Sequence, residues 1–152
     1  MAESPGSEKN YMTDRVFLDT NIFAYAIDTA HSQISKQGKA RELIRQHIEM
    51  ETGVISIQVL QEFFVVSTNK IPVPLSSIEA LEFIQYISAL NTVIPSVDMV
   101  IAAVGLHQKH GFHFWDAMII QPAMAANCNL LLSEDLQHGF QLGSLTIQNP
   151  FV

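Results

Sequence analysis

The stretch "RVFLDTNIFAYAID", from Arg15 to Asp28, joins a short apolar run to a helical pattern. Its "VFL" segment has the length and composition of a buried strand. Thr20 and Asn21 follow closely, and both are residue types that begin helices, because their side chains accept a hydrogen bond from a free backbone N–H. A buried strand that leads directly into a helix is typical of the opening of an α/β unit. The stretch therefore predicts an α/β fold.

The same alternation of strand and helix continues along the chain. Further short apolar runs, which lack polar alternation, are typical of strands covered on both faces. They are "VISI" (54–57), "TVI" (92–94), "LLL" (130–132) and "LTI" (145–147). Helical patterns separate them, and one of these opens with a capping box from Ser76 to Glu79 while another ends at Gly111. We therefore predict a parallel five-stranded sheet flanked by helices on both faces.

Length and composition indicate a single globular domain. The chain has 152 residues, of which 48% are hydrophobic, so it can bury a sizeable core. Residues 1–13 are polar and turn-forming, and we expect them to form a flexible extension before a domain that spans residues 14–152.

The cysteine count and the absence of long apolar runs predict a cytoplasmic protein. Cys128 is the one cysteine, which excludes an internal disulfide and a thiolate metal cluster and fits a reducing compartment. We expect Cys128 to be a small buried hydrophobic residue rather than a nucleophile. No apolar run reaches the length of a membrane span, and the N-terminus lacks the apolar core of a signal peptide.

The charge balance argues against a nucleic acid partner when it is taken alone. The net charge is −7, from 15 acidic and 8 basic residues, although acids gathered around a divalent cation would not repel RNA in the same way. Half of the basic residues lie in one helical pattern. They are Lys36, Lys39, Arg41 and Arg45. They either form a solvated helix face or contact an RNA backbone or a protein partner, and the sequence leaves both readings open.

Acidic residues occur where a parallel sheet would bring them together. Asp19 directly follows the first strand, and Glu134 and Asp135 follow the fourth. Ligands bind beyond the carboxyl ends of such strands. Glu62 and Asp116 lie within the apolar helical stretches "VLQEFFVV" and "FHFWDAMII", where burial of an unpaired carboxylate is costly. A cation shared by several of these acids would offset that cost.

The ligand types favour Mg²⁺ or Mn²⁺ over zinc, because all are hard oxygen donors. Such an ion, alone or as a pair about 4 Å apart, activates water and stabilises the leaving oxygen in phosphodiester hydrolysis. Simpler explanations remain open for single residues. Asp19 could be a helix N-terminal acid stabilised by the helix dipole, and Glu62 could be a boundary residue of an amphipathic helix.

Four motifs in order, "FLDTN", "QVLQEFF", "FWDAMI" and "LLLSEDL", together with the closing "NPF", resemble those of PIN-domain ribonucleases of the VapC toxin type. The resemblance covers Arg15 to Val152. It implies a PIN-like fold and Mg²⁺- or Mn²⁺-dependent cleavage of single-stranded or looped RNA without a covalent enzyme intermediate. It also implies a cognate antitoxin, bound to a groove near the early helices, and a homodimer.

The resemblance assigns roles to seven residues. It implies that the acids that bind metal and carry catalysis are Asp19, Glu62, Asp116 and Asp135. It implies that the polar residues that orient carboxylates, water or phosphate are Thr20, Asn21 and Ser133. Pro122 departs from the family pattern, which has a good helix former there. Proline costs about 3 kcal/mol inside a regular helix, so we expect a kink beyond Asp116.

The adjacent acids Glu134 and Asp135 are expected to face different ways. The two-residue period of a strand puts Ser133 and Asp135 on one side and Glu134 on the other. We therefore expect Asp135 to face the metal, with Ser133 as its polar companion, and Glu134 to be more solvated.

Other residues that could carry chemistry have simpler explanations. His107, His110 and His113 are spaced by three, which rotates each by about 300° around a helix, so a solvated helix end is favoured over a zinc site. We expect Trp115 to lie in the core rather than to stack on a base, and His138 to be a surface turn residue.

Asp28 and Asp98 are expected to lie at helix ends, Asp28 at the end of one helix and Asp98 in the first turn of another. An acid in a first turn is ordinarily stabilising, so neither residue is predicted to belong to the site.

Two functions of other classes compete with the nuclease. A haloacid-dehalogenase-type phosphatase also has an aspartate after its first strand, but it needs a second aspartate where this chain has Asn21. A catalytically weak RNA- or protein-binding module with the same fold is the remaining alternative.

Overall fold

The central strand of the sheet is β1 (Val16–Leu18), and all three of its residues are buried. It pairs in parallel with β2 (Gly53–Ser56) on one side and with β4 (Leu130–Leu132) on the other. The computed structural model describes residues 14–152, so the predicted flexible extension of residues 1–13 lies outside the described residues.

The sheet has six strands in the order β3–β2–β1–β4–β6–β5. The outer strands are β3 (Asn91–Val93), β5 (Gln141–Leu142) and β6 (Leu145–Gln148). All neighbours are parallel except β5 and β6, which form an antiparallel hairpin. The predicted α/β fold and its five strands are confirmed, and the sheet differs from the prediction in having a sixth strand, β5, which is antiparallel to β6.

The extra strand β5 was not predicted, because its two residues are too few to show the alternation of a strand. Gly143 supplies the turn into β6 with a φ of 58°, a conformation that glycine adopts without steric cost.

Six α-helices flank the sheet. They are α1 (Thr20–Ile27), α2 (Ile34–Glu49), α3 (Ile57–Asn69), α4 (Ser77–Ile87), α5 (Val97–His110) and α6 (Phe114–Ala125). The predicted capping box is confirmed, since Ser76 Oγ accepts from the Glu79 N–H and Glu79 Oε1 accepts from the Ser76 N–H. Gly111 ends α5 with a φ of 75°, as predicted.

The largest fully buried side chains of the core include Phe17, Phe23 and Phe63. They come from β1, α1 and α3, so the elements that begin the chain are fixed against one another by apolar packing. Among the described residues, none of the helices combines the length and the apolar character needed to cross a membrane.

Pro122 lies inside α6 and is buried, yet the helix continues to Ala125. The backbone hydrogen bond that proline cannot donate would reach the Met118 carbonyl, one turn back. Asp116 lies before that point, in the first turn of the helix. Pro122 therefore does not end the helix, and the expected kink beyond Asp116 stays a prediction.

Candidate functional site

Asp19 directly follows β1 and is buried, with 6% of its surface exposed. Its Oδ1 accepts from the Thr20 N–H at 2.7 Å, so Asp19 itself is the N-cap of α1, and the prediction that Thr20 or Asn21 would be the cap is wrong. Its Oδ2 accepts from the Ser133 hydroxyl at 2.7 Å. These hydrogen bonds fix both oxygens of the carboxylate at the carboxyl ends of β1 and β4.

Burial raises the pKa of Asp19 to about 6. The hydrogen bonds from Ser133 and Thr20 act in the opposite direction, while the charges of Glu62 and Asp135 raise the pKa further. Asp19 therefore lies within the electrostatic field of two other predicted site acids.

Glu62, on α3, is held by two neutral donors. Its Oε2 accepts from the Thr20 hydroxyl at 2.7 Å, and its Oε1 accepts from Gln58 Nε2 at 2.7 Å. Because the Thr20 N–H donates to Asp19, Thr20 connects two of the four acids. Gln58 Nε2 also donates to the Trp115 carbonyl at 3.1 Å, which links α3 to the start of α6.

Asp116 lies in the first turn of α6 and is partly buried. Burial raises its pKa, and the charges of Asp135 and Glu62 add to that increase, while His113 lowers it. The four predicted acids therefore come from four different elements and act on one another electrostatically.

Glu134 and Asp135 have different partners although they are adjacent. Asp135 Oδ2 accepts from Asn21 Nδ2 at 3.2 Å, and the Asp135 N–H donates to Ser133 Oγ at 3.2 Å. Glu134 Oε1 instead pairs with Lys36 Nζ at 2.5 Å. The charge of Asp135 thus acts on the other acids, and the charge of Glu134 is paired. Glu134 is half-buried while Asp135 is exposed, so the expectation that Glu134 would be the more solvated acid is wrong, because Lys36 covers it.

Asn21 joins the loop after β4 to α1. Its Oδ1 accepts from the Glu134 N–H at 3.2 Å, and its Nδ2 lies 3.4 Å from Ser133 Oγ as well as near Asp135. A cavity of about 310 Å³ opens beside these groups. Its polar lining consists of Thr20, Asn21, Tyr25, Asp28, Glu62, Glu134 and Asp135. Four of the seven predicted site residues, Thr20, Asn21, Glu62 and Asp135, therefore border one cleft.

The donor set fits a hard divalent ion. It consists of carboxylates without a thiolate, since burial raises the pKa of the Cys128 thiol to about 12, and Cys128 is buried as predicted. Within residues 14–152, no three Asp, Glu, His or Cys side chains are arranged closely enough to hold one ion together. Neutral donors hold the carboxylates of Asp19, Glu62 and Asp135 in their present rotamers, so coordination of one ion by these three requires side-chain rotation.

The three histidines form no metal site in the part of the chain that the structure describes. His107 Nδ1 lies 2.6 Å from the Phe112 carbonyl, and the His110 ring packs against Phe112 and Phe140. His113 begins α6 near Asp116. His107 and His110 lie in the last turn of α5, so their predicted place at a helix end is confirmed.

Three of the four clustered basic residues on α2 are engaged within the chain. Lys36 pairs with Glu134, and Arg41 Nε donates to the Ala26 carbonyl at 2.8 Å. Arg45 pairs with two acids of its own helix. Lys39 is exposed. The solvated or structural reading of these charges is thereby favoured over contact with RNA.

Two residues at the site were missed or misjudged from the sequence. Trp115 is 64% exposed, so the expectation of a core residue is wrong. The surrounding stretch is apolar on all sides and gives no period from which the outward position could be recognised. Gln58 was missed, although its position four residues before Glu62 places both on one helix face.

Comparison with known proteins identifies the fold. The chain is similar to a toxin–antitoxin complex from Klebsiella pneumoniae, with a TM-score of 0.62 and 17% identity over 89% of this chain and 97% of that chain. It is also similar to VapC20 of Mycobacterium tuberculosis, described as a sarcin-ricin loop cleaving toxin, with a TM-score of 0.63 and 16% identity over 79% of this chain and 91% of that one.

A third similar structure is VapBC2 from Rickettsia felis, bound to a DNA fragment from its promoter, with a TM-score of 0.59 and 20% identity over 88% of this chain and 97% of that chain. A search of curated proteins returned no match. The family model described as PIN domain matches residues 16–140, which is most of the chain and includes all four acids. The chain therefore belongs to the PIN domain family.

Proposed function

We propose that this protein is a Mg²⁺- or Mn²⁺-dependent endoribonuclease that hydrolyses phosphodiester bonds of single-stranded or structured RNA. The observation that carries the proposal is the electrostatic interaction among four acids from four parts of the fold, since the charges of Glu62 and Asp135 raise the pKa of both Asp19 and Asp116. Membership of the PIN family and the fold shared with a sarcin-ricin loop cleaving toxin support it.

In the proposed reaction, the acids that hold the ion are Asp19, Glu62, Asp116 and Asp135. When bound, such an ion lowers the pKa of water and stabilises the leaving oxygen of the phosphodiester. The chain itself orients the carboxylates. Ser133 and Thr20 fix Asp19, and Thr20 and Gln58 fix Glu62. The Asp19 carboxyl releases its proton when it binds a cation. We therefore expect metal affinity to increase as the pH rises through about 6 and to level off above that.

We also propose that the protein is a toxin with an antitoxin partner in the cytoplasm. Two of the similar structures are described as toxin–antitoxin assemblies, which supports this role. A largely apolar groove of about 440 Å³ lies between α1, α2 and α4 and offers a docking surface near the early helices. Its apolar lining comes from Ala26, Ile27, Ile44, Phe83 and Tyr86.

We propose further that the chain forms a homodimer through the outward face of α5. Val97, Val100, Ile101 and Val104 are spaced as one helical stripe and are 39 to 75% exposed. Ala103, on the opposite side, is buried against α6. The stripe carries no charge, so two copies can pack it against itself without opposing like charges.

The nuclease proposal is tested by cleavage of single-stranded RNA. We expect cleavage that requires Mg²⁺ or Mn²⁺ and stops with EDTA, and a loss of roughly 100-fold or more in rate for Asp19→Asn and for Asp116→Asn. Asp98→Asn is the matched control, because Asp98 is an exposed acid in the first turn of α5. Cleavage retained in both site variants, with folded protein, would contradict the assignment.

The alternative of a catalytically weak binding module is favoured by one observation. Within the described residues, no three acids lie close enough together to bind one metal ion. A module that binds metal without turnover would gain thermal stability with Mn²⁺, as the nuclease would, but would leave RNA intact.

A further inference from the structure

Trp115 is the one tryptophan of the chain, and its side chain is 64% exposed at the start of α6. It immediately precedes Asp116, one of the four acids of the proposed nuclease site. The residues that follow, from Ala117 to Ile120, are all buried. A single exposed apolar residue is ordinary on a protein surface, so the argument depends on where Trp115 lies.

The backbone of Trp115 is tied to the acid cluster through one side chain. Gln58 Nε2 donates both to the Trp115 carbonyl at 3.1 Å and to Glu62 Oε1 at 2.7 Å. The indole also makes an edge contact with the ring of Phe114, with centroids 5.2 Å apart. Phe114 packs against the buried cluster between α5 and α6. The indole therefore packs on Phe114, its backbone is tied to Glu62 through Gln58, and most of its surface is open to solvent.

Among the described residues, RNA that approaches this site meets Lys70, which borders a cavity with Glu62, and cations that are already paired. The net charge of the chain is −7. Lys36, beside the cleft, is paired with Glu134, and Arg45 is paired with acids of its own helix. Contacts with phosphate are thus weaker than in an RNA-binding protein with a basic face. Aromatic stacking on an unpaired base does not depend on such charges, because every base has a π-face.

We propose that Trp115 is a stacking platform for one unpaired nucleobase of the RNA substrate, next to the phosphate that is cleaved. This inference rests on the proposed ribonuclease function and adds a determinant of substrate class. A base paired within a duplex cannot leave its stack without cost, so the platform favours single strands and loops over double helices.

The fluorescence of Trp115 tests the proposal directly, since the chain has no other tryptophan. Asp19→Asn protein with Mg²⁺ is titrated with a 12-nucleotide single-stranded RNA, with the same RNA annealed to its complement, and with the same strand carrying abasic positions. We expect the single strand to quench the emission, and the duplex and the abasic strand to leave it nearly unchanged.

Variants in the same background separate stacking from general contact. We expect Trp115→Ala to weaken single-strand binding about 10-fold, measured by anisotropy of labelled RNA, and Trp115→Phe to retain most of the affinity. Tyr86→Ala is the matched control, because Tyr86 is a 51% exposed aromatic residue on α4 and does not border the acids. Its affinity for RNA should equal that of the parent.

The outcomes distinguish this proposal from the one on which it rests. If the unmodified protein cleaves RNA and Trp115→Ala cleaves and binds it equally well, the stacking proposal is wrong and the ribonuclease proposal is unaffected. If the unmodified protein leaves RNA intact in the presence of Mg²⁺ and in the presence of Mn²⁺, both the ribonuclease proposal and the stacking proposal are wrong. If the Trp115 emission changes with protein concentration but not on addition of RNA, Trp115 lies in a protein interface and the stacking proposal is wrong.

Discussion

At the scale of single residues, Asp19 couples the stability of the protein to pH. Its pKa is raised from 3.8 to about 6 in the folded chain, mainly by burial. The folded state therefore binds a proton more tightly than the unfolded state does. The associated stability is fully present below about pH 4 and is lost as the pH rises through about 6.

We predict that Asp19→Asn removes this dependence. Without metal and at pH 8, the variant should be more stable than the parent by about 1 to 3 kcal/mol, because a buried charge has been removed, and the difference should vanish near pH 4. Urea unfolding in EDTA across this pH range measures it. An equal difference at every pH would show that the ionisation of Asp19 is not its cause.

At pH 8, a bound divalent ion should make the parent more stable than the Asp19→Asn variant, the reverse of the order expected without metal. A divalent ion that binds the folded parent stabilises it by mass action, whereas Asp19→Asn lacks one ligand and should respond less. Asp98→Asn, with its exposed acid in the first turn of α5, should respond to Mn²⁺ as the parent does.

At the scale of elements, the longer strands could be predicted from the sequence, whereas the short strand β5 and the outward position of Trp115 on α6 could not. The apolar runs of β1, β2 and β4 are buried on both faces, and this burial is what makes their sequences uniformly apolar. The hairpin from β5 to β6 was missed because a two-residue strand has no period. The apolar helix α6 was predicted, but the outward position of Trp115 was not, because apolar residues surround it in sequence.

The acids of the candidate site stay a prediction, whereas the contacts that Thr20, Asn21 and Ser133 make with them agree with the expected orienting role and those of Gln58 were not foreseen. Asp19 and Asp135 follow strands, and strand ends of a parallel sheet converge. The hydrogen bonds of Gln58 depend on how α3 lies against α6, which no local pattern specifies. The pairing of Lys36 with Glu134 likewise joins residues that are far apart in sequence.

The contact between α2 and the loop after β4 gives a prediction at this scale. Burial acts to raise the pKa of Glu134, but hydrogen bonds from Lys36 and Tyr25 outweigh it, and the pKa is lowered. Glu134 is therefore an ionised partner of Lys36. We predict that Glu134→Gln keeps RNA cleavage within roughly threefold of the parent, since Glu134 pairs with Lys36 and is not one of the predicted metal ligands.

Asp135→Asn is the comparison for that variant and should reduce cleavage roughly 100-fold or more, because its charge acts on Asp19 and Asp116. Rates measured side by side at saturating Mg²⁺ decide the assignment. Strong loss in Glu134→Gln with activity kept in Asp135→Asn would mean that the two acids have the opposite roles.

At the scale of the whole molecule, the predicted site acids and the apolar stripe of α5 lie on different elements. Asp19 and Asp135 follow β1 and β4, and Glu62 and Asp116 lie on α3 and α6, while α5 presents an uncharged stripe that begins near Ile94, which is 75% exposed. A stable interface buries roughly 800 Å² on each partner, so the stripe needs the neighbouring surface of α5 and its preceding loop to reach that size. All four acids belong to one chain, and assembly is therefore not required to complete the site.

We predict that Ile101→Asp converts a homodimer into a monomer, because two charges would meet across the two-fold axis without partners. Ile78→Asp is the matched control, since Ile78 is an equally exposed isoleucine on α4, at 69% against 64%. Light scattering coupled to size exclusion gives the mass of each variant, near 16.9 kDa for one chain. The monomer should keep its cleavage rate per chain. A parent that is monomeric, or an Ile101→Asp variant that remains dimeric, would exclude this face as the interface.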